Sequence, residues 1–133
     1  MSNTQATGVA YLDPEFSTCY ATQEIGYATA AQGTVTQATD KTTGVTLNKS
    51  AGRITMNAAS LAATTTVSFT LTNSLLSTND TVIVNVSGGG TAGAYVAYVS
   101  SLVAGSAVIS LRNLTAGALA EAVVLNYAII HGA

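Results

Sequence analysis

Apolar and polar residues alternate strictly along several short stretches of the 133-residue chain. The clearest runs from Thr66 to Thr72, with Val67, Phe69 and Leu71 on one side and Ser68, Thr70 and Thr72 on the other. A period of two sends successive side chains to opposite faces of an extended backbone, so this is a half-buried strand with β-branched residues on its wet face. The same reading predicts strands at 44–47, 52–56, 82–86, 95–99 and 107–112, and a weak one at 34–37. Asn48-Lys49-Ser50-Ala51, Ser77-Thr78-Asn79-Asp80 and Gly88-Gly89-Gly90 separate them. Asn and Asp close turns on their own backbone, and glycine breaks a ladder. The last stretch is different. Val123, Leu125, Tyr127 and Ile129 alternate, but the intervening Val124, Ala128 and Ile130 are apolar as well. A strand apolar on both faces is covered on both sides, so Val124, Ala128 and Ile130 are expected at an interface between subunits.

Seven or eight short strands with regular turns predict an all-β fold, an antiparallel jelly-roll-like β-sandwich over residues 34–133. The longer connections at 58–65 and 115–120 permit the crossings between sheets that a jelly roll requires. A trimeric fibre of interleaved strands fits the composition but less of the turn spacing, and the Gly and Thr content excludes a coiled coil. Residues 1–33 show no clean period. They hold Pro14, Cys19, Asp13, Glu15 and three of the tyrosines, and a short helix over 21–32 is weakened by Gly26 and the threonines. An extended N-terminal arm is expected there. Its aromatics Tyr11, Phe16, Tyr20 and Tyr27 cannot build a core of their own and are expected to anchor on a partner surface.

Charge sharpens the picture by its scarcity. Charged residues make up 8% of the chain, four basic and six acidic, for a net charge of −2. Lys41, Lys49, Arg53 and Arg112 are scattered, so no basic patch exists for a phosphate backbone and nucleic acid is not an expected partner. So little charge protects a monomer poorly against association, which points to a surface covered in the working state by copies of the chain or by a partner. The N-terminus has neither a basic start nor an apolar stretch, so no secretory signal is expected. The longest apolar run, 116–130, is interrupted by Glu121 and Asn126 and is too short for a bilayer, so no membrane span is expected either. Cys19 is the only cysteine and no intrachain disulfide can form. Assembly in a reducing cytoplasm follows, and the sequons at Asn48, Asn79, Asn85 and Asn113 are then incidental.

Candidate chemistry is thin. His131 is the sole histidine, so a two-His metal site within one chain is impossible. Cys19 and His131 lack a supporting motif for a nucleophilic pair. Asp13 with Glu15, or Asp40 with Asp80, lack the tryptophan that commonly accompanies glycosidase carboxylates. Gly88-Gly89-Gly90 lacks the Gly-Lys-Ser/Thr of a phosphate loop. No catalytic residue, metal or cofactor is expected. Tyr95 and Tyr98, three apart on a strand, point to opposite faces, one to the core and one toward a neighbour or a sugar.

Three blocks carry a resemblance. Thr36-Gln37-Ala38-Thr39-Asp40-Lys41-Thr42-Thr43-Gly44-Val45-Thr46-Leu47-Asn48-Lys49 with Gly52-Arg53-Ile54-Thr55-Met56 is the first. Val67-Ser68-Phe69-Thr70-Leu71-Thr72-Asn73-Ser74 with Asp80-Thr81-Val82-Ile83-Val84-Asn85 is the second, and Ala122-Val123-Val124-Leu125-Asn126-Tyr127-Ala128 the third. In this order, over residues 34–133, they resemble small virion proteins of tailed bacteriophages: head decoration (cement) proteins or related appendage modules. The resemblance implies a jelly-roll sandwich, often trimeric, seated on the outer surface of the capsid at threefold or quasi-threefold positions. The expected role is then a decoration protein that binds the major capsid protein as a homotrimer and stabilises the assembled head, with no enzymatic activity. The alternative is a receptor-binding module of a phage fibre or spike that recognises host glycans; a subunit forming a tube or lattice by itself is a third reading.

Overall fold

The computed structural model describes residues 15–132. A 3₁₀ turn at Thr29–Ala31 leads into eight strands: β1 (Gln32–Thr36), β2 (Val45–Thr46), β3 (Ala51–Thr55), β4 (Thr66–Thr72), β5 (Thr81–Gly88), β6 (Tyr95–Val103), β7 (Ser106–Asn113) and β8 (Val124–Ile130). Each predicted alternation is a strand. β6 runs past its expected end because a bulge between Val99 and Ser101 absorbs one extra residue. That insertion restores the phase, so Leu102 faces inward opposite Ala107. The helix considered over 21–32 is reduced to the single 3₁₀ turn.

The strands form two four-stranded sheets packed face to face, β1-β3-β8-β5 and β2-β4-β7-β6. The core lies between them. Ile54, Leu125, Tyr127 and Ile129 enter from the first sheet and Phe69, Leu71, Ile109 and Leu111 from the second, all buried. The β-sandwich is therefore present, but its pairing is mixed rather than antiparallel throughout. β3/β8, β5/β8, β4/β7 and β6/β7 are antiparallel, whereas β1/β3 and β2/β4 are parallel. The cause is the winding of the first four strands, which fall alternately in the first and second sheet. Parallel neighbours need a crossover, and here the strand in the opposite sheet supplies it.

Close approach explains two glycines. Gly33, Gly52 and Tyr127 stand opposite one another across β1, β3 and β8. A Cβ on Gly52 would lie 2.6 Å from Leu47 Cδ2 and 2.8 Å from Tyr127 Cε1. The side chain absent at Gly33 makes room for Leu47 and Lys49, and that absent at Gly52 for Leu47 and the tyrosine ring, whose hydroxyl donates to the Lys49 carbonyl at 2.9 Å and accepts from Asn73 Nδ2 at 3.3 Å. Tyr127 thereby ties the centre of the first sheet to the connection between β2 and β3. Among the described residues, no helix is long and apolar enough to cross a membrane.

Candidate interaction surfaces

Residues 15–28 carry no regular secondary structure, in keeping with the lack of any apolar period there. Their large side chains stand out from the sandwich: Phe16 is 64% exposed, Tyr20 91% and Ile25 88%. Phe16 and Tyr20 were expected as anchors; Ile25 was not, because an isolated apolar residue beside Gly26 belongs to no pattern. Tyr27 behaves differently. Its hydroxyl donates to the Ile129 carbonyl, and its own carbonyl accepts from Gln32 Nε2 at 2.8 Å, so the base of the arm is held against β8 of the same chain. Tyr11 lies outside the described residues.

The outer face of the first sheet gathers Val124, Ala128 and Ile130, as alternation along β8 requires. Val124 and Ala128 are half-buried and Ile130 is 57% exposed. Ala128 stands between Ala51 of β3 and Ile83 of β5, and Ile83 is 50% exposed. Sequence reasoning missed Ile83, since it sits on the side of β5 opposite Val82, Val84 and Val86. The next row across the sheet is Arg53, Asn126 and Asn85, with Arg53 Nε donating to Asn126 Oδ1 at 3.4 Å. Arg53 is the one charged residue among the strand positions of this face. An open depression of about 430 Å³ lies beside it, lined by Thr29, Gln32, Thr34, Arg53 and Asn126 among others.

The outer face of the second sheet is hydroxyl-rich and self-satisfied. Ser68 Oγ lies 2.8 Å from Ser110 Oγ, which donates to Ser100 Oγ at 3.0 Å. Tyr98 is exposed in the same row, opposite Ser110, while Tyr95 is buried, so the two tyrosines do take opposite faces.

The remaining polar residues are consumed by the fold. Buried Lys41 donates Nζ to the carbonyls of Asn57 and, at 2.6 Å, Glu121; burial pushes its pKa down, opposed by the Glu121 charge. The Glu121 carboxylate accepts from the Thr91 N–H at 3.0 and 3.1 Å, the Thr91 hydroxyl at 2.7 Å and the Tyr95 hydroxyl at 2.7 Å. These bonds, the Thr91 N–H foremost, hold it below the usual carboxylate range. Asp80 accepts from the Ser77 N–H at 2.8 Å, the Ser77 hydroxyl at 2.9 Å and the Gly132 N–H at 3.0 Å, and pairs with His131 Nδ1 at 3.2 Å. Asp40 caps its own turn through Thr42 and Thr43, so the two aspartates share no partner. Asn113 Nδ2 donates to the carbonyls of Leu61, Ala62 and Gly117, and its Oδ1 accepts from the Thr115 N–H and hydroxyl. Every buried side-chain nitrogen and oxygen among the described residues has a hydrogen-bond partner.

Cys19 is exposed on the arm, and no group of three or more His, Cys, Asp or Glu among the described residues is placed to hold a metal. Gly88-Gly89-Gly90 ends β5 and opens the loop to β6, with Gly89 at φ +74°, a conformation that suits glycine. The chain matches no protein-family model, no curated protein and no solved structure.

Proposed function

We propose that the chain is a non-enzymatic assembly module of a virion, a decoration protein that binds the outer surface of an assembled head as a homotrimer and stabilises it. One observation carries this reading: a sandwich whose buried polar groups are all matched internally projects a segment bearing Phe16, Tyr20 and Ile25 in the open. Large apolar side chains held off their own core are characteristic of contacts made elsewhere. The half-exposed apolar strip of Ile83, Ala128 and Ile130 supplies a second such contact. Capsid binding through several linked copies multiplies weak individual contacts, and binding only the assembled shell favours that shell by mass action.

The test is electron cryomicroscopy of virions with the gene intact and deleted, with heat rupture of both. Loss of trimeric density from the head, together with easier rupture, supports the decoration role. Density lost from a fibre or spike while the head is unchanged refutes it. Exposed Tyr98 beside a row of hydroxyls favours the second reading, a glycan-binding module. Reproducible binding of one sugar class on a glycan array, abolished by Tyr98→Ala, identifies that activity.

A further inference from the structure

We infer that residues 15–26 of one copy seat on the outer face of the first sheet of a second copy, with Phe16, Tyr20 and Ile25 covering Ile83, Ala128 and Ile130. The inference rests on the assembly reading above and names the occupant of both surfaces.

Each surface offers what the other lacks. The arm segment brings three large exposed apolar side chains and two carboxylates, Glu15 and Glu24. The receiving face brings Ile83 and Ile130, both at least half exposed, and a single cation, Arg53. Neither need is met among the described residues of one chain. No hydrogen bond among the described residues involves residues 15–26. The one ion pair among the described residues joins His131 to Asp80, which leaves the Arg53 guanidinium without a carboxylate. Few charges remain in this chain to complement Arg53, and three of the six acids lie on the arm, two of them within residues 15–26.

Placement agrees with chemistry. Tyr27 is fixed to the Ile129 carbonyl, so the arm departs from the flank of the strand that carries Ala128 and Ile130. Twelve extended residues reach about 40 Å, and a four-stranded sheet is roughly 15 Å wide, so the segment spans a neighbour's face with length to spare. The giving and receiving surfaces differ, which makes the contact heterologous; it closes into a ring when the rotation between copies closes. In a homotrimer of this kind every arm and every face is used.

The experiment uses the full chain and its single cysteine. Two preparations are mixed: one is wild type with Cys19 as its only thiol and a mass tag, the other is untagged and carries Cys19→Ser with Ile83→Cys. A short bismaleimide is added and products are sized. Mixed-mass dimers that exceed both same-mass species support arm-on-face seating; same-mass dimers only, or none, overturn it. In parallel, light scattering compares wild type with Phe16→Ser/Tyr20→Ser/Ile25→Ser. These side chains are exposed within the chain, so the variant keeps the wild-type urea midpoint at dilutions where both are monomeric, while its oligomer dissociation constant rises on the order of 100-fold or more. A variant that assembles like wild type overturns the arm's seat and leaves the assembly reading standing. A wild type that is monomeric at every concentration reached overturns both.

Discussion

Asn113 is fully buried, and its amide presents two hydrogens to three carbonyls, those of Leu61 at 3.1 Å, Ala62 at 3.2 Å and Gly117 at 2.9 Å. Asn113→Asp preserves volume and shape but turns that amide into a second oxygen. The Oδ1 side is untouched, since the Thr115 N–H at 2.9 Å and hydroxyl at 2.8 Å suit a carboxylate as well as an amide. The damage is confined to the carbonyls that lose their donors. Each buried acceptor left unmade costs about 1–3 kcal/mol, so two lost hydrogens cost roughly 2–6 kcal/mol at neutral pH. Against a domain stability of about 5–15 kcal/mol, this is a large fraction. Protonation returns one donor, and burial among carbonyls raises the carboxyl's folded pKa above its unfolded value. The sign follows: the deficit is largest above that raised pKa and shrinks as pH falls toward the ordinary carboxylate pKa of about 4. Urea unfolding followed by far-UV circular dichroism, parent and variant side by side at several pH values, measures the difference directly. A variant within about 0.5 kcal/mol of the parent at neutral pH, or a deficit that does not shrink in acid, refutes the reasoning.

Two further outcomes concern titration. Asp80 is held at about 2, chiefly by the Ser77 N–H, with the Gly132 N–H, the Ser77 hydroxyl and His131 adding to it. A depressed carboxyl contributes stability above its unfolded pKa that is lost as pH falls through the folded one, so the urea midpoint drops between about pH 4 and 2, and Asp80→Asn flattens that limb. Burial pushes the Tyr127 hydroxyl up to about 12, against the opposing pull of the Asn73 bond. A raised pKa gives stability that is complete below about pH 10 and lost as pH rises through 12. Tyr127→Phe costs about 1–2 kcal/mol at neutral pH and removes that alkaline limb, read from thermal melts between pH 8 and 12.

Alternation made the strands legible because a half-buried strand needs its apolar side chains two apart, and Thr66–Thr72 meets that rule residue for residue. Sheet order was not legible. Nothing in the spacing of 34–37, 44–47 and 52–56 distinguishes a hairpin from strands that hop between sheets, and the parallel pairs β1/β3 and β2/β4 come from that hop. Polar roles were equally hidden. Asn73 and Asn113 sit at strand ends and belong to no pattern that marks burial, yet both are fully buried and bind carbonyls distant in sequence. Lys41 reads only as one of four scattered cations, and the fold buries it with Nζ on the carbonyls of Asn57 and Glu121. On the candidate surface, Val124, Ala128 and Ile130 were marked by the second apolar face of β8. Ile83 and Ile25 became visible only when the fold showed which side each residue occupies.

The position of β8 bears on how the chain comes into being. This strand is synthesised after the other seven and is inserted between β3 and β5, two strands that do not pair with each other. Until it emerges from the ribosome the first sheet has no centre, Ile54 and Val84 lack the row that covers them, and two ladder edges stand open. Of the two sheets, only the second, β2-β4-β7-β6, has all its strands before then. The first sheet cannot be completed before β8, and its pairings with β3 and β5 are distant in sequence, which makes for slow folding. A nascent chain waiting for its last strand depends on its hydroxyl-rich faces, rather than on charge, to stay apart from its neighbours.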